Sequence, residues 1–68
     1  MNSILNQVAR ANINTRVMFD VAFTKAGYDK KVAKNIHLYG ATARVEWMIK
    51  NGYEHEAMAM WMKVKLTN

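Results

Sequence analysis

Apolar residues recur with helical spacing in three stretches of the chain. In residues 3–26 they are separated by steps of three and four, which places them on one side of a helix, and Ser3 stands at the expected N-cap position. Similar patterns cover residues 30–50 and residues 54–66. Ala, Met and Lys, which favour helices, are common. The pattern therefore predicts an all-α fold, a small compact three-helix bundle with short connections.

Two positions could divide these helices further. Asparagine is a better helix cap than helix former, so the segment Asn12–Asn14 could end one helix and start another. Gly40 interrupts the second pattern at a cost of about 1 kcal/mol relative to Ala. We expect residues 30–50 to form one helix despite Gly40, and the alternative is a new short helix capped by Thr42. Breaks at both positions would give a bundle of four or five helices.

The same kind of joint occurs twice, as KAGYDKK in residues 25–31 and as KNGYEHE in residues 50–56. Each joint contains Gly, Tyr and an acid in that order. The glycine suits the left-handed residue that ends a helix, and the tyrosine suits packing against the last turn. Asp29 is placed to cap the helix that follows the first joint. Glu54 has the same place in the second joint, although Glu is a poorer cap than Asp. The flanking sequences align poorly, so we interpret the joints as a recurrent helix–helix turn and not as a duplication.

The length and composition predict one domain, residues 1–68, with a small core. The chain has no cysteine, which excludes disulfides, cysteine-bound zinc and iron–sulfur clusters. Folds of this size without such links often depend on oligomerisation or on a partner. The longest apolar run, residues 57–62, is too short to cross a membrane, and the N-terminus lacks a secretory signal pattern. We therefore expect a cytoplasmic protein that makes no membrane contact.

Catalytic chemistry finds little support in the sequence. His37 and His55 are the two side chains that could act as bases near neutral pH, and neither has a nucleophile at helical spacing. The triplet Glu54–His55–Glu56 is a poor metal site, because adjacent residues of a helix point in different directions. The glycines form no phosphate-binding loop. We expect no enzymatic activity, no cofactor, no metal and no catalytic residue.

The charge balance favours anionic partners. Ten Lys and Arg residues against five Asp and Glu residues give a formal charge of +5. Lys30, Lys31 and Lys34 lie close together at the start of the second pattern, where cations oppose the helix dipole. With Arg44 they form a predicted site for an acidic protein surface or a nucleic acid. The alternative is a solvated basic face that keeps the protein soluble.

The C-terminal helix is apolar over more than the stripe that a surface helix requires. Methionine adapts to irregular surfaces and tryptophan is frequent at binding hot spots, so Tyr53, Met58, Trp61 and Met62 are the predicted partner-binding residues. The alternative is that this helix is central in the bundle and that Trp61 belongs to the core. Residues 17–23 are similarly apolar, and one remaining helix can hardly cover both stretches. Some of this surface is therefore expected to meet another chain.

These observations predict a small non-enzymatic intracellular protein that docks on a protein partner and modulates or inhibits it. Small basic chains without cysteine are common among phage and mobile-element inhibitors, including anti-defence proteins. Nucleic-acid binding is the first alternative, and residues 32–52 can be aligned weakly with a helix-turn-helix whose turn contains Gly40. A structural homo-oligomer is the second alternative.

Overall fold

The computed structural model describes residues 3–67, and this part of the chain is helical with no strand. The predicted all-α fold is confirmed. Its dimensions of 30 × 25 × 18 Å are those of a compact globule. No helix within the described residues combines the length and apolar composition that crossing a bilayer requires. The described elements are α1 (Ile4–Arg10), α2 (Ile13–Lys25), a 3-10 helix (Tyr28–Lys31), α3 (Ala41–Lys50) and α4 (Glu54–Thr67).

The asparagine segment separates α1 from α2, as the alternative with a break there predicted. Asn12 is extended, and its Oδ1 accepts hydrogen bonds from the Thr15 backbone N–H at 2.9 Å and from the Thr15 hydroxyl at 3.0 Å. Ser3 caps α1 as expected, because its hydroxyl oxygen accepts a hydrogen bond from the Asn6 N–H at 3.2 Å. These caps satisfy donors that each helix start would otherwise leave unpaired.

The single helix expected over residues 30–50 is wrong in its first half. The chain leaves the 3-10 helix and runs through residues 32–40 without forming an α-helix. Gly40 then precedes α3 with φ 87° and ψ 178°, a conformation that glycine adopts and that no helix contains. Because Gly40 itself occupies the N-cap position, Thr42 lies inside α3 and is not its cap. The weak helix-turn-helix alignment over residues 32–52 also fails, because the first helix that this motif requires does not form.

The joints turn the chain as predicted, but their acids are not caps. Gly27 ends α2 in the left-handed conformation, with φ 87° and ψ 7°. Asp29 lies within the 3-10 helix, whose N-cap is Gly27. Glu54 is the first residue of α4, and the Tyr53 carbonyl accepts the first helical hydrogen bond from Ala57 at 2.9 Å. Both acids therefore lie in first turns, where a negative charge is favourable.

The two joints meet in space. The rings of Tyr28 and Tyr53, one from each joint, have centroids 5.1 Å apart in an edge-to-face arrangement. Trp47 of α3 lies 5.9 Å from Tyr53 and 6.5 Å from Tyr28, and Phe23 of α2 lies 5.5 Å from Tyr28. The recurrent Gly-Tyr turn thus supplies two rings to one aromatic cluster, which links α2 and α3 to the two joints.

The core lies where the four α-helices converge. Its largest side chains are Trp61 of α4 and Phe19 and Phe23 of α2, and the rings of Trp61 and Phe19 meet at a centroid distance of 6.0 Å. α1 and α2 each pack against α3 and α4. The fully buried apolar cluster comprises Ile4, Val8, Phe19, Phe23, Ala41, Val45, Met48, Ala57 and Trp61.

Candidate docking surface

The side of α2 that faces away from the bundle carries a row of exposed apolar side chains. Thr15, Phe19 and Phe23 are buried at four-residue intervals on the inner side of the helix. Residues two positions away lie about 200° around a helix axis, so Ile13, Val17 and Val21 form a parallel stripe on the opposite side. These three side chains are between 49% and 62% exposed. We call this stripe the α2 outer face. A surface helix normally presents polar residues there, so a row of three half-exposed apolar side chains is unusual for such a helix.

An open groove runs beside the α2 outer face, between α2 and α4. It has a volume of about 550 Å³, and we call it the α2–α4 groove. Val21 belongs to both features, so the groove and the outer face form one continuous surface. Two lysines, Lys25 and Lys63, contribute to the groove, and no described carboxylate lines it. Its other lining residues are Met18, Ala22, Ala26, Met60, Val64 and Thr67.

The four predicted partner-binding residues do not form one surface. Trp61 is 1% exposed and packs edge-on against Phe19, so its expected role as a surface anchor is wrong and it belongs to the core. Met58 is partly buried against the core, and Tyr53 is partly buried in the aromatic cluster. Met62 is 47% exposed on the outer side of α4. Of the four, Met62 therefore presents the most open apolar side chain.

The predicted basic site is also divided. Lys30, Lys31 and Lys34 are all exposed, between the end of α2 and the start of α3. Lys31 Nζ lies 5.9 Å from the centroid of the Tyr53 ring, a distance at which a cation is attracted to the ring face. Arg44 does not join these lysines, because its Nη1 lies 3.3 Å from Asp20 Oδ1. Part of the Arg44 charge is therefore compensated within the protein, and attraction of an external partner by Arg44 stays a prediction.

The Asp20–Arg44 contact is electrostatic and not an aligned hydrogen bond. Asp20 Oδ1 is buried and accepts no hydrogen bond from the described residues, although the arginine is close. Burial raises the pKa of Asp20 above its ordinary value, and the charges of Arg44 and Arg16 act in the opposite direction with smaller effect. The carboxylate is thus held in partly desolvated surroundings beside the α2 outer face.

Residues 32–40, which connect the 3-10 helix to α3, carry further exposed side chains. Their apolar spacing had predicted a helix there. Tyr39 is 81% exposed, and its ring stacks near that of His37 at a centroid distance of 6.0 Å. We call these two exposed residues, together with the exposed Lys30, Lys31 and Lys34 of the same stretch of chain, the basic segment. Among residues 3–67, no group of three His, Cys, Asp or Glu side chains is arranged to hold a metal ion.

Sequence reasoning missed the α2 outer face. The available signal was the apolar composition of residues 17–23, in which Asp20 is the single charged residue. That pattern indicated a helix apolar on several sides but did not show which side would remain open. Ile13 gave no separate signal, because it lies next to the asparagines of the helix break.

Comparison with known proteins identifies no relative for this chain. No protein-family model matches it, and no curated protein or solved structure is significantly similar to it.

Proposed function

We propose that this protein docks on another protein through the α2 outer face and modulates or inhibits it. The observation that carries the proposal is the exposed stripe of Ile13, Val17 and Val21 on a helix whose other side is already in the core. Contiguous exposed apolar patches on small domains mark interaction sites more often than they mark unused surface. The basis is therefore the α2 outer face, and Trp61 has no direct part in it.

The α2 outer face alone is too small for tight binding of a partner, so the α2–α4 groove has to contribute. Fully burying a Val or Ile side chain contributes about 1.5–3 kcal/mol, so the exposed halves of three such residues supply roughly 3 kcal/mol. Micromolar affinity corresponds to about 8 kcal/mol. The remainder must come from the α2–α4 groove, where Met18 and Met60 can adapt to an inserted side chain. Because the surface lies on packed helices, little ordering is required on binding.

Inhibition would follow from occupying a surface that the partner needs. In this mode of action the protein does not modify its target chemically, so its effect would depend on how much of the target surface it covers. Lys30, Lys31 and Lys34 lie outside the groove and would attract an acidic target, which increases the association rate more than the final affinity. A role as a phage-type or mobile-element inhibitor of cellular machinery fits this mode of action.

The test is affinity capture from a lysate of the source organism, treated with nuclease and analysed by mass spectrometry. The informative variant is Val17→Lys/Val21→Lys. Its matched control is Met62→Lys/Leu66→Lys, which also replaces two exposed apolar residues four positions apart with lysine. We expect one stoichiometric protein that is lost with the α2 variant and retained with the α4 variant. Equal capture by both variants would contradict the proposal, and loss with the α4 variant alone would move the site to Met62.

Nucleic-acid binding by the basic segment is a second candidate. The exposed Tyr39 ring and the three exposed lysines combine a stacking surface with positive charge, the arrangement that sequence-tolerant single-strand binding uses. A labelled single-stranded oligonucleotide in a fluorescence anisotropy titration tests it. Binding that falls steeply with salt and disappears in Lys30→Gln/Lys31→Gln/Lys34→Gln would favour this candidate. Binding unaffected by that variant would exclude the basic segment as the site.

A further inference from the structure

The charge of the α2–α4 groove restricts what can occupy it. This inference rests on the proposed docking function and concerns the chemistry of the docked segment. Lys25 on α2 and Lys63 on α4 both line the groove, and none of its described lining residues is acidic. The nearest carboxylate on α2, that of Asp20, is paired with Arg44 and lies outside the groove lining. An apolar occupant with acidic flanks would therefore complement the groove, and a basic one would be repelled.

The shape of the groove suits a helix. Its lining extends over residues 18–26, in α2 and its C-cap, and over residues 60–67 of α4. At 1.5 Å per residue these stretches are about 10–12 Å long, which corresponds to roughly two helical turns. Two neighbouring helices with a groove between them accept the ridge of a third helix, whose anchors recur at three- and four-residue steps. Met18 and Met60 contribute flexible side chains that can adjust to those anchors.

A second copy of this chain is a poor occupant. Each copy carries a formal charge of +5, so association brings two positive molecules together. The α2 outer face of a second copy would bring its own Lys25 toward a groove that already contains two lysines. The apolar stripe favours self-association, but the surrounding charge opposes it.

We propose that the α2–α4 groove binds an acidic amphipathic helix of the partner protein. The apolar residues of that helix lie against Val21, Met60 and Val64, and its Asp or Glu side chains lie beside Lys25 and Lys63.

The experiment selects binders from a display library of helical peptides of about 14 residues, long enough to exceed the two turns of the groove. The apolar stripe of the peptides varies among Leu, Ile, Met and Ala, and the flanking positions vary equally among Glu, Gln and Lys. The best binder is then titrated against the intact protein by fluorescence anisotropy. We expect the selected peptides to be enriched in Glu at the flanking positions. Failure to select any binder, or enrichment in Gln or Lys, overturns the proposal.

Two charge-reversal variants locate the bound peptide. Lys25→Glu/Lys63→Glu reverses the groove lysines, and Lys30→Glu/Lys34→Glu makes the same change in net charge away from the groove. We expect about tenfold weaker binding with the first variant and less than about threefold with the second. Equal effects would mean general attraction to a basic protein and would overturn the proposal. Lys25→Gln/Lys63→Gln provides a milder version if circular dichroism shows that the reversal disturbs α2 or α4.

Separate outcomes distinguish failure of this inference from failure of the docking function. If Val17→Lys/Val21→Lys abolishes capture of the cellular partner while no acidic peptide is selected, the docking function stands and the acidic-helix assignment is overturned. If that variant leaves capture unchanged, the docking function itself is contradicted. Sedimentation at up to about 300 µM protein tests whether a second copy of this chain occupies the surface, because self-association depends on concentration. A dimer abolished by Val17→Lys/Val21→Lys would assign the surface to self-association and overturn the proposal.

Discussion

Replacing Tyr28 and Tyr53 with leucine tests whether the two joints stabilise each other. The rings lie 5.1 Å apart, edge to face, and each also contacts Trp47. Leucine keeps most of the apolar volume and removes the aromatic ring. The double-mutant cycle therefore isolates the interaction between the rings from the general loss of burial.

The size of the coupling follows from this geometry. An aromatic pair at such a distance contributes about 0.5–1.5 kcal/mol beyond its burial. We expect each single variant to lower the free energy of unfolding by roughly 1–2 kcal/mol. We expect the double variant to lose about 1 kcal/mol less than the sum of the two single variants, because the pair is lost once. A domain of this length has a total stability of only about 3–10 kcal/mol, so the effect is a sizeable fraction.

The assay is urea denaturation followed by the helical circular dichroism signal, with free-energy differences taken from the midpoints and a shared slope. Tyr39 supplies the control partner, because it is 81% exposed and its described ring contact is with His37. Tyr28→Leu and Tyr39→Leu should be additive within about 0.3 kcal/mol. A coupling between Tyr28 and Tyr53 no larger than this control would refute the contact between the joints.

Three other perturbations test the local structure and the charge of α2. Asn12→Ala should lower the free energy of unfolding by about 1 kcal/mol, measured by urea denaturation, because the start of α2 loses its cap; an unchanged midpoint would contradict the observed break. Gly40→Ala should destabilise the protein more than Gly27→Ala, with each substitution costing about 1–3 kcal/mol. The reason is that φ 87° with ψ 178°, found at Gly40, is less accessible to alanine than the left-handed helical region occupied by Gly27. The reverse order of stability in thermal melts would refute this prediction. Burial raises the pKa of Asp20 in the folded protein, so the folded state binds that proton more tightly. Wild-type stability relative to Asp20→Asn should therefore increase as pH falls through the folded-state pKa, and it should level off below the ordinary pKa of an unfolded aspartate. A relative loss of stability on acidification would show that attraction to Arg44 outweighs burial.

The sequence predicted those parts of the fold that depend on local chemistry. Ser3 and the asparagine segment marked helix starts, and Gly27 marked a helix end, because caps and left-handed turns depend on few residues. Residues 32–40 could not be predicted in the same way. Their apolar spacing fits a helix, but the backbone at Gly40 is incompatible with one, and the partly buried Val32 and Leu38 pack on the core without helical geometry.

Hydrophobic periodicity does not show which apolar side chains of α2 and α4 are buried, so it could not locate the candidate surface. Both α2 and α4 have more apolar residues than one buried side can hold. Trp61, Phe19 and Phe23 are the largest of these side chains and gain most from burial, so they occupy the core. The smaller side chains of Val17 and Val21 remain outside. The sequence thus indicated excess apolar surface, and the packing determined where that surface lies.

Site-specific photo-crosslinking in cells tests the docking claim most directly. A benzophenone side chain replaces Val21 on the α2 outer face, Met62 on α4 or Tyr39 in the basic segment, each of which is roughly half exposed or more. We predict one dominant protein adduct from position 21, insensitive to nuclease, with no comparable adduct from positions 62 and 39. An adduct from position 62 or 39 with none from position 21 would contradict the account.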